Sequence, residues 1–267
     1  KYEGGYKHIL PLGTAGDDGS GIKLGVSAGG AIDHMNNMTA WRFITPPSSF
    51  VEGVSVGMNG DRIVNEDLYG ATHAHTFIEQ HKGEGYLIVD STTWKKAIKH
   101  HIEQTNDFQR LQTFYLFTIG HKKASTLVKL AKKIGVNEAG MLKTIQAYND
   151  GINSGHGDPG HKQAKLCSPL VKAPFYAINI SIKNSTFFPA AGLPLGGLVV
   201  NEETGEVLNE NNELIKGLYA AGRSAVGVCS NGYISGLSLA DCVFSGRRAG
   251  AHASSVKDLE VRTEVIT

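Results

Sequence analysis

The stretch that most constrains this chain is Gly217 to Gly250, GLYAAGRSAVGVCSNGYISGLSLADCVFSGRRAG. Leu218-Tyr219-Ala220-Ala221 reads as a short apolar strand that stops at Gly222. A loop rich in Gly, Ser and Asn follows. From Leu237 to Phe244 the apolar residues are spaced like a buried helix. Strand, small-residue loop and buried helix, in that order, form the layout of a cofactor site in an α/β protein. Glycines let the backbone approach a flat ligand. The amides at a helix start carry partial positive charge and suit an anionic or electron-rich group. The same pattern also serves as an ordinary strand-loop-helix connection, and spacing alone does not separate the two.

With 267 residues, 41% hydrophobic and 19% charged, the chain has enough apolar surface for one large or two small domains. A formal charge of +1 and no basic stripe argue against nucleic acid as a partner. No apolar run is long enough to predict a membrane span, and no signal-peptide pattern stands at Lys1. The three cysteines, Cys167, Cys229 and Cys242, show no CxxC spacing and fit a reducing, cytoplasmic setting. Cys229 lies in the key loop, either as a reactive thiol or as a small packed residue. Eleven histidines form neither HExxH nor CxxCH, so no metal site is expected.

Along the chain, Asp17-Asp18-Gly19-Ser20 precedes a helix expected over Ile22–Ile32, with Ser20 or Asp18 as its cap. Pro46-Pro47 marks the start of a second domain over residues 46–170. Within it, Val54–Met58 and Arg62–Val64 flank an Asn59-Gly60 turn, and Tyr86–Asp90 reads as a buried strand. Helices are expected over Thr72–Gln80, Lys122–Ile134 and Asn137–Asn153. Strands are expected over Phe175–Ile180 and Leu195–Val200, followed by a hairpin around Glu203–Leu208. The polar tail after Ala253 is expected to fray.

The segments GLYAAGR and NGYISGLSLADCVFSGRRAG resemble the C-terminal flavin-binding segment of the fumarate reductase/succinate dehydrogenase flavoprotein superfamily. That family reads roughly GLYAAGE, a Gly-rich loop, a Gly-Gly-x-Ser-Leu helix start and a Phe-Gly-Arg-x-Ala-Gly end. The branch it is most similar to is the 3-ketosteroid dehydrogenases of the Δ4-(5α) type. The resemblance implies an α/β (α+β) fold: the C-terminal part of a Rossmann-like FAD-binding domain, with an inserted α+β capping domain. Residues 1–45 and 171–267 would belong to the FAD-binding domain and 46–170 to the cap. No predicted strand is followed by the family's GxGxxG fingerprint in this sequence. The expectation is therefore a C-terminal portion whose N-terminal FAD-binding segment lies elsewhere.

The implied cofactor is FAD, and the implied contacts are carried over residue by residue. Asp17 and Asp18 are both candidates for the Asp of the family's Thr-Gly-Asp-Gly helix entry, Asp18 being favoured because it directly precedes Gly19, with a plain N-cap as the other reading. Gly196-Gly197 matches the Gly-Gly that passes close to the flavin. Gly222 ends the strand, and Gly236, Ser238 and Leu239 form the helix start whose amides would face the N1/O2 edge. The family's Glu after Ala-Gly is Arg223 here. Glu accepts ribityl hydroxyls, whereas Arg only donates, so a phosphate, a carbonyl or a neighbouring acid is its expected partner.

The same comparison bears on substrate. Fumarate reductases clamp two carboxylates with Arg and His. The clamp Arg falls at Tyr233, and Ala190–Leu195 contains no His. A small, neutral, apolar substrate is implied, a steroid above all. Tyr233-Ile234-Ser235 matches the Tyr-x-Ser element of the ketosteroid branch, and Tyr69, after Asn65-Glu66, matches its second tyrosine. Tyr233 would then donate to a 3-keto oxygen, and Tyr69, assisted by Ser235, would take a C4 proton as C5 hydride passes to the flavin. Tyr86, Tyr115 and Tyr176 compete for the role of Tyr69. Other readings are a Δ1-dehydrogenase, a fumarate reductase-like or other enone reductase, or a flavin-lacking fragment acting as an interaction module.

Absence of the dicarboxylate clamp carries a direct expectation. Fumarate and succinate should neither turn over on the full-length protein nor perturb its visible flavin spectrum. Fumarate turnover comparable with that of a steroid would refute the neutral-substrate assignment.

Overall fold

A computed structural model describes residues 9–42, 44–183 and 190–256. In chain order the first elements are β1 (Leu10–Pro11), α1 (Ser20–Ser27), β2 (Ile32–Asp33), β3 (Met38–Trp41) and β4 (Val54–Gly57). Next come α2 (Gly70–His81), β5 (Gly85–Val89), α3 (Ser91–Gln104), α4 (Asp107–Thr118), β6 (His121–Ala124), α5 (Leu127–Ile134) and α6 (Glu138–Asn153). The last are β7 (Phe175–Asn179), β8 (Ala191–Pro194), β9 (Gly197–Leu198), β10 (Glu206–Leu208), β11 (Leu214–Tyr219) and α7 (Leu237–Ser255). The chain divides into two compact units, one of residues 1–11 and 40–192, the other of 12–39 and 193–267.

The first unit is built on an antiparallel sheet of order β4-β5-β7-β6. Its central strands, β5 and β7, read as nearly continuous apolar runs because both faces are covered. Leu87 and Val89 of β5, with Tyr176 and Ile178 of β7, pack with Phe77, Trp94 and Leu116 from α2, α3 and α4. The alternate residues Ile88, Phe175 and Ala177 pack with Leu130, Met141, Ile145 and Tyr148 from α5 and α6. Side chains alternate across a strand, so one sheet serves two cores. Asp90 starts α3 by accepting from the amides of Thr92 and Thr93, and Asn137 caps α6 through the Gly140 amide.

The second unit holds α1, α7, the antiparallel pair β2–β9 and the hairpin β10–β11, around a small core of Leu198, Val207, Ala220 and Ala225. The β10–β11 hairpin follows a tight turn at Asn201–Glu206, extended by a bridge from Val200 to Val207.

Several expectations change. The helix expected over Ile22–Ile32 ends at Ser27, because Gly29 adopts φ 93° and Ile32 enters β2. The helix expected over Lys122–Ile134 starts only at Leu127. Residues His121–Ala124 instead pair with β7 as an edge strand, and Thr126 caps the helix. Of Leu195–Val200 only Gly197–Leu198 is strand. On the far side of the Asn59-Gly60 turn, Arg62 makes a single bridge to Val56 rather than a strand. The helix starting at Leu237 buries Asp241, Ser245 and Ala249, while Leu239 is 74% exposed and Val243 and Phe244 are also exposed. Its apolar run is therefore not its buried face within this unit. The same helix continues to Ser255, and the tail from residue 257 lies outside the described residues.

A buried cluster of charges closes the first unit. Arg62 donates through Nη1 and Nη2 to both oxygens of Asp158 at 2.8 and 2.9 Å, and through Nε to Glu66 at 2.9 Å. Lys162 Nζ lies 2.8 Å from Glu66 and donates to the Gly53 carbonyl at 2.6 Å. Ser55 gives Glu66 its amide and hydroxyl. Arg62 and Lys162 both lie over the Tyr148 ring, at 5.4 and 5.0 Å. Burial alone would raise the Glu66 carboxyl, but Lys162 and Arg62 outweigh it and hold it below the usual range. Burial is likewise outweighed at Asp158, by Arg62 and the Gly160 amide.

Both carboxyls are thus depressed on folding, from unfolded values of about 4.3 for Glu and 3.9 for Asp. Their contribution to stability is complete above about pH 5 and is lost as pH falls through the lower folded values. Thermal melts should soften below about pH 6.5, where the unfolded chain but not buried His73 takes a proton, and drop steeply below about pH 4 as the carboxyls protonate. Asp158→Asn breaks a buried pair and should cost about 3 kcal/mol near neutral pH, with a shallower acid transition. An unchanged melting curve would show that the cluster contributes nothing to stability.

Candidate active site

Three chain segments meet in the second unit. The strand β11 runs into Gly222, whose φ of 56° starts a short turn through Arg223 and Ser224. Beside it runs Gly196-Gly197: a Cβ at Gly197 would come within 2.7 Å of the Ala225 carbonyl carbon. Gly196 passes His34 and Met35 as closely, with a Cβ 2.6 Å from their backbone. The first turn of α1 packs here too, since a Cβ at Gly21 would lie 2.9 Å from Ser224 Oγ. Only residues without side chains allow these approaches. The glycines are thus needed for packing in this unit as well as for any ligand.

The resulting cleft is lined by Leu195, Gly222, Arg223, Tyr233, Ser238 and Asp241, among others. Tyr233 is half-buried, and its hydroxyl lies 3.0 Å from Ser238 Oγ. Gly236, at φ 89°, opens α7 without a capping side chain. Among the described residues no acceptor is bonded to the Ser238 and Leu239 amides. A 19-residue helix therefore presents uncapped amides beside the cleft, the donor set suited to an electron-rich ring edge. On this ground the residues fit the flavin that the sequence implies.

The other expected contacts take definite places. Arg223 lies 3.6 Å from Asp17, so the neighbouring-acid alternative describes its surroundings. Asp18 Oδ1 accepts from the Ser20 amide at the start of α1, and the Ser20 hydroxyl first and then this amide hold its carboxyl below the usual range. Ser235 is exposed in the loop before α7. Tyr69 belongs to the first unit. It stands immediately before α2, and its hydroxyl accepts a 2.9 Å hydrogen bond from Trp41 Nε1. Of its competitors, Tyr176 stacks on Trp94 at 4.2 Å inside the core.

Sequence reasoning missed three residues. Asp241 lines the cleft as a buried acid, and desolvation pushes its carboxyl up. It packs so tightly against Gly227 that a Cβ there would lie 2.7 Å from Oδ2. The signal was an acid within the apolar run Leu237–Phe244. Cys229 lies in the same wall, where burial and then Asp241 raise its thiol, so the reading as a packed, protonated residue is favoured over a reactive one. In the first unit, His73 and Arg42 share a cleft of about 210 Å³ with Glu66 and Gly70. Burial lowers the His73 pKa to about 4 and that of Arg42 to about 10, and neither His73 ring nitrogen has a partner among the described residues. Arg42 donates to the Ser181 carbonyl at 2.9 Å.

Comparison with known proteins agrees with this geometry. The family described as FAD binding domain matches residues 6–238. The chain is 36% identical over 218 residues to 3-oxo-5-alpha-steroid 4-dehydrogenase of Comamonas testosteroni, covering 81% of this chain and 41% of that protein. It is 26% identical to the fumarate reductase (cytochrome) of Shewanella frigidimarina over 95% of this chain and 42% of that protein. The crystal structure of 3-ketosteroid-Δ4-(5α)-dehydrogenase from Rhodococcus jostii RHA1 in complex with 4-androstene-3,17-dione superposes with a TM-score of 0.75. Identity there is 30%, over 90% of this chain and 46% of that one. The chain spans about two fifths of the length of the curated relatives it matches. With the Gly-rich strand ends, the uncapped α7 amides and this match over most of its length, the chain belongs to the FAD-binding-domain family of flavoproteins.

Proposed function

We propose that this chain supplies the flavin-ring side and the capping unit of an FAD-dependent oxidoreductase. It acts on a CH–CH bond next to a ketone in a neutral apolar substrate, most simply a 3-ketosteroid. The observation that carries this is Tyr233, set in the cleft wall with its hydroxyl on Ser238 at the start of α7. A phenol there is a neutral donor suited to a ketone, where a carboxylate clamp would need a cation. The names of the steroid dehydrogenase relatives support the same substrate class.

FAD, when bound, supplies the two-electron acceptor. Gly196, Gly197, Gly222, Gly236, Ser238 and Leu239 would hold its ring side, with Asp18 and Arg223 at the neighbouring turn. The Ser238 hydroxyl can donate to the Tyr233 oxygen, which leaves the Tyr233 proton for the substrate ketone. That bond strengthens as the C4 proton leaves and charge grows on the oxygen. Tyr69 is the proposed base for the C4 proton, assisted by Ser235. The Trp41 N–H fixes the Tyr69 ring and occupies one lone pair of its oxygen, so the phenol proton points elsewhere.

One observation favours a second reading. The cleft holding Arg42 and His73 offers a guanidinium and an imidazole, a pair suited to an enone that carries a carboxylate. Comparing steroid with carboxylate-bearing enones on the same FAD-loaded preparation separates the two.

Removing a donor used mainly in the transition state should slow chemistry more than it weakens binding. Tyr233→Phe should keep FAD and fold and lower kcat by roughly 10²-fold or more. Ser235→Ala should cost less. Stopped-flow reduction of the flavin by a 3-keto-5α-steroid measures both. If Tyr233→Phe reduces its flavin at the wild-type rate, Tyr233 only packs and the ketosteroid reading loses its main support.

A further inference from the structure

Helices α3 and α4 are apolar on two sides. Inward, Trp94, Ala97 and Leu116 are buried in the core and Phe117 packs against it. Outward, Ile98, Ile102, Phe108, Leu111, Phe114 and Ile119 are exposed, Phe108 to 67% and Ile119 to 75%. Phe108, Leu111 and Phe114 recur every three residues, and Ile98 and Ile102 every four, so each set forms a stripe on its helix. The two helices meet at the tip of their hairpin, where Arg110 Nη2 donates to the Ile102 carbonyl. A helix with a second apolar face has something further to bury.

Charge indicates what covers it. From Ser91 to Ala124 the sequence holds six Lys or Arg residues and two carboxylates, in a chain whose formal charge is only +1. Lys95 and Lys99 are exposed one turn apart, on the flank of Ile98 and Ile102. Asp107 stands beside Arg110, Glu103 beside His100 and Glu52 beside Lys96, which leaves Lys95 and Lys99 as the exposed cations of α3 outside an ion pair among the described residues. A second copy docked on this face by a two-fold axis would set an excess of cations against itself. An anionic, apolar-cored surface matches both the charge and the stripe.

We propose that this face of the first unit docks on a bilayer containing anionic lipid. Helices α3 and α4 lie in the interfacial plane, Phe108, Leu111 and Phe114 enter the headgroup–acyl boundary, and Lys95 and Lys99 sit at phosphate level. At 14 and 12 residues the helices lie on the bilayer and do not cross it, and no helix among the described residues is long and apolar enough to cross. This inference does not rest on the proposed substrate.

The test is flotation of the protein with vesicles of phosphatidylcholine alone or mixed with phosphatidylglycerol. We expect binding to the mixed vesicles at least about tenfold stronger than to phosphatidylcholine, and weakened by raising salt from about 0.1 to about 0.5 M. The triple change Phe108→Ser, Leu111→Ser, Phe114→Ser should lower binding by about tenfold or more, as should Lys95→Glu with Lys99→Glu. All five positions are exposed, and far-UV circular dichroism and gel filtration check that each variant keeps fold and oligomeric state. Failure to float with the mixed vesicles, or equal flotation of wild type and both variants, would overturn the proposal. So would a salt-resistant dimer that the triple-serine variant dissociates, which would make this face a contact between copies.

Discussion

Four charged side chains, three of them fully buried, hold the first unit closed. Arg62 follows a tight turn, Glu66 lies four residues on, and Asp158 and Lys162 come from a loop nearly a hundred residues later. Taking such charges out of water is costly, so each must find its partners in one geometry. Arg62 meets two carboxylates, Glu66 meets two cations and Ser55, and Lys162 also meets the Gly53 carbonyl. The loop at 158–162 thereby fixes both ends of the segment from Gly53 to Glu66. Tyr69 follows that segment and starts α2, so the placement of this tyrosine depends on the cluster closing correctly.

The second unit uses a different constraint, closeness of backbone. Gly21, Gly197 and Gly222 stand where any Cβ would strike a neighbouring segment, and Gly227 where it would strike the Asp241 carboxyl. Their absence of side chains brings the strand ends, the turn at Arg223 and the start of α7 into one cleft. An uncapped helix then adds a dipole without adding bulk. Such a cleft favours a flat, electron-rich group, and its donors include the α7 amides, Ser238, Tyr233 and Arg223. The chemistry available to this unit is therefore mainly that of positioning and hydrogen-bond donation.

Much of this was legible from local pattern. The break at Gly222, the helix over Glu138–Asn153 and the Tyr86–Val89 strand follow from short-range signals: a glycine, helical periodicity and an apolar run. The resemblance placed Tyr233, Ser238 and Gly222 in one site, and the cleft does bring these three together. It was less informative for Arg62 and Glu66. The structure engages both with Asp158 and Lys162, which no local pattern pairs with them.

What the sequence determined by itself were features that act over one or two turns of chain: caps, breaks at glycine and apolar periodicity. Only the tertiary structure decided which apolar face is covered. Lys122–Ala124 directly precedes the helical pattern of Leu127, Leu130 and Ile134, yet pairs with β7 because an open sheet edge offers a full ladder of hydrogen bonds. In α7 the covered side is Asp241, Ser245 and Ala249, since only small or polar side chains fit against Gly205, Gly222 and Gly227. The apolar Leu239, Val243 and Phe244 are left facing out. Periodicity reports that a helix has an apolar stripe. Burial is a property of what lies opposite, and that is set by residues far away in the chain.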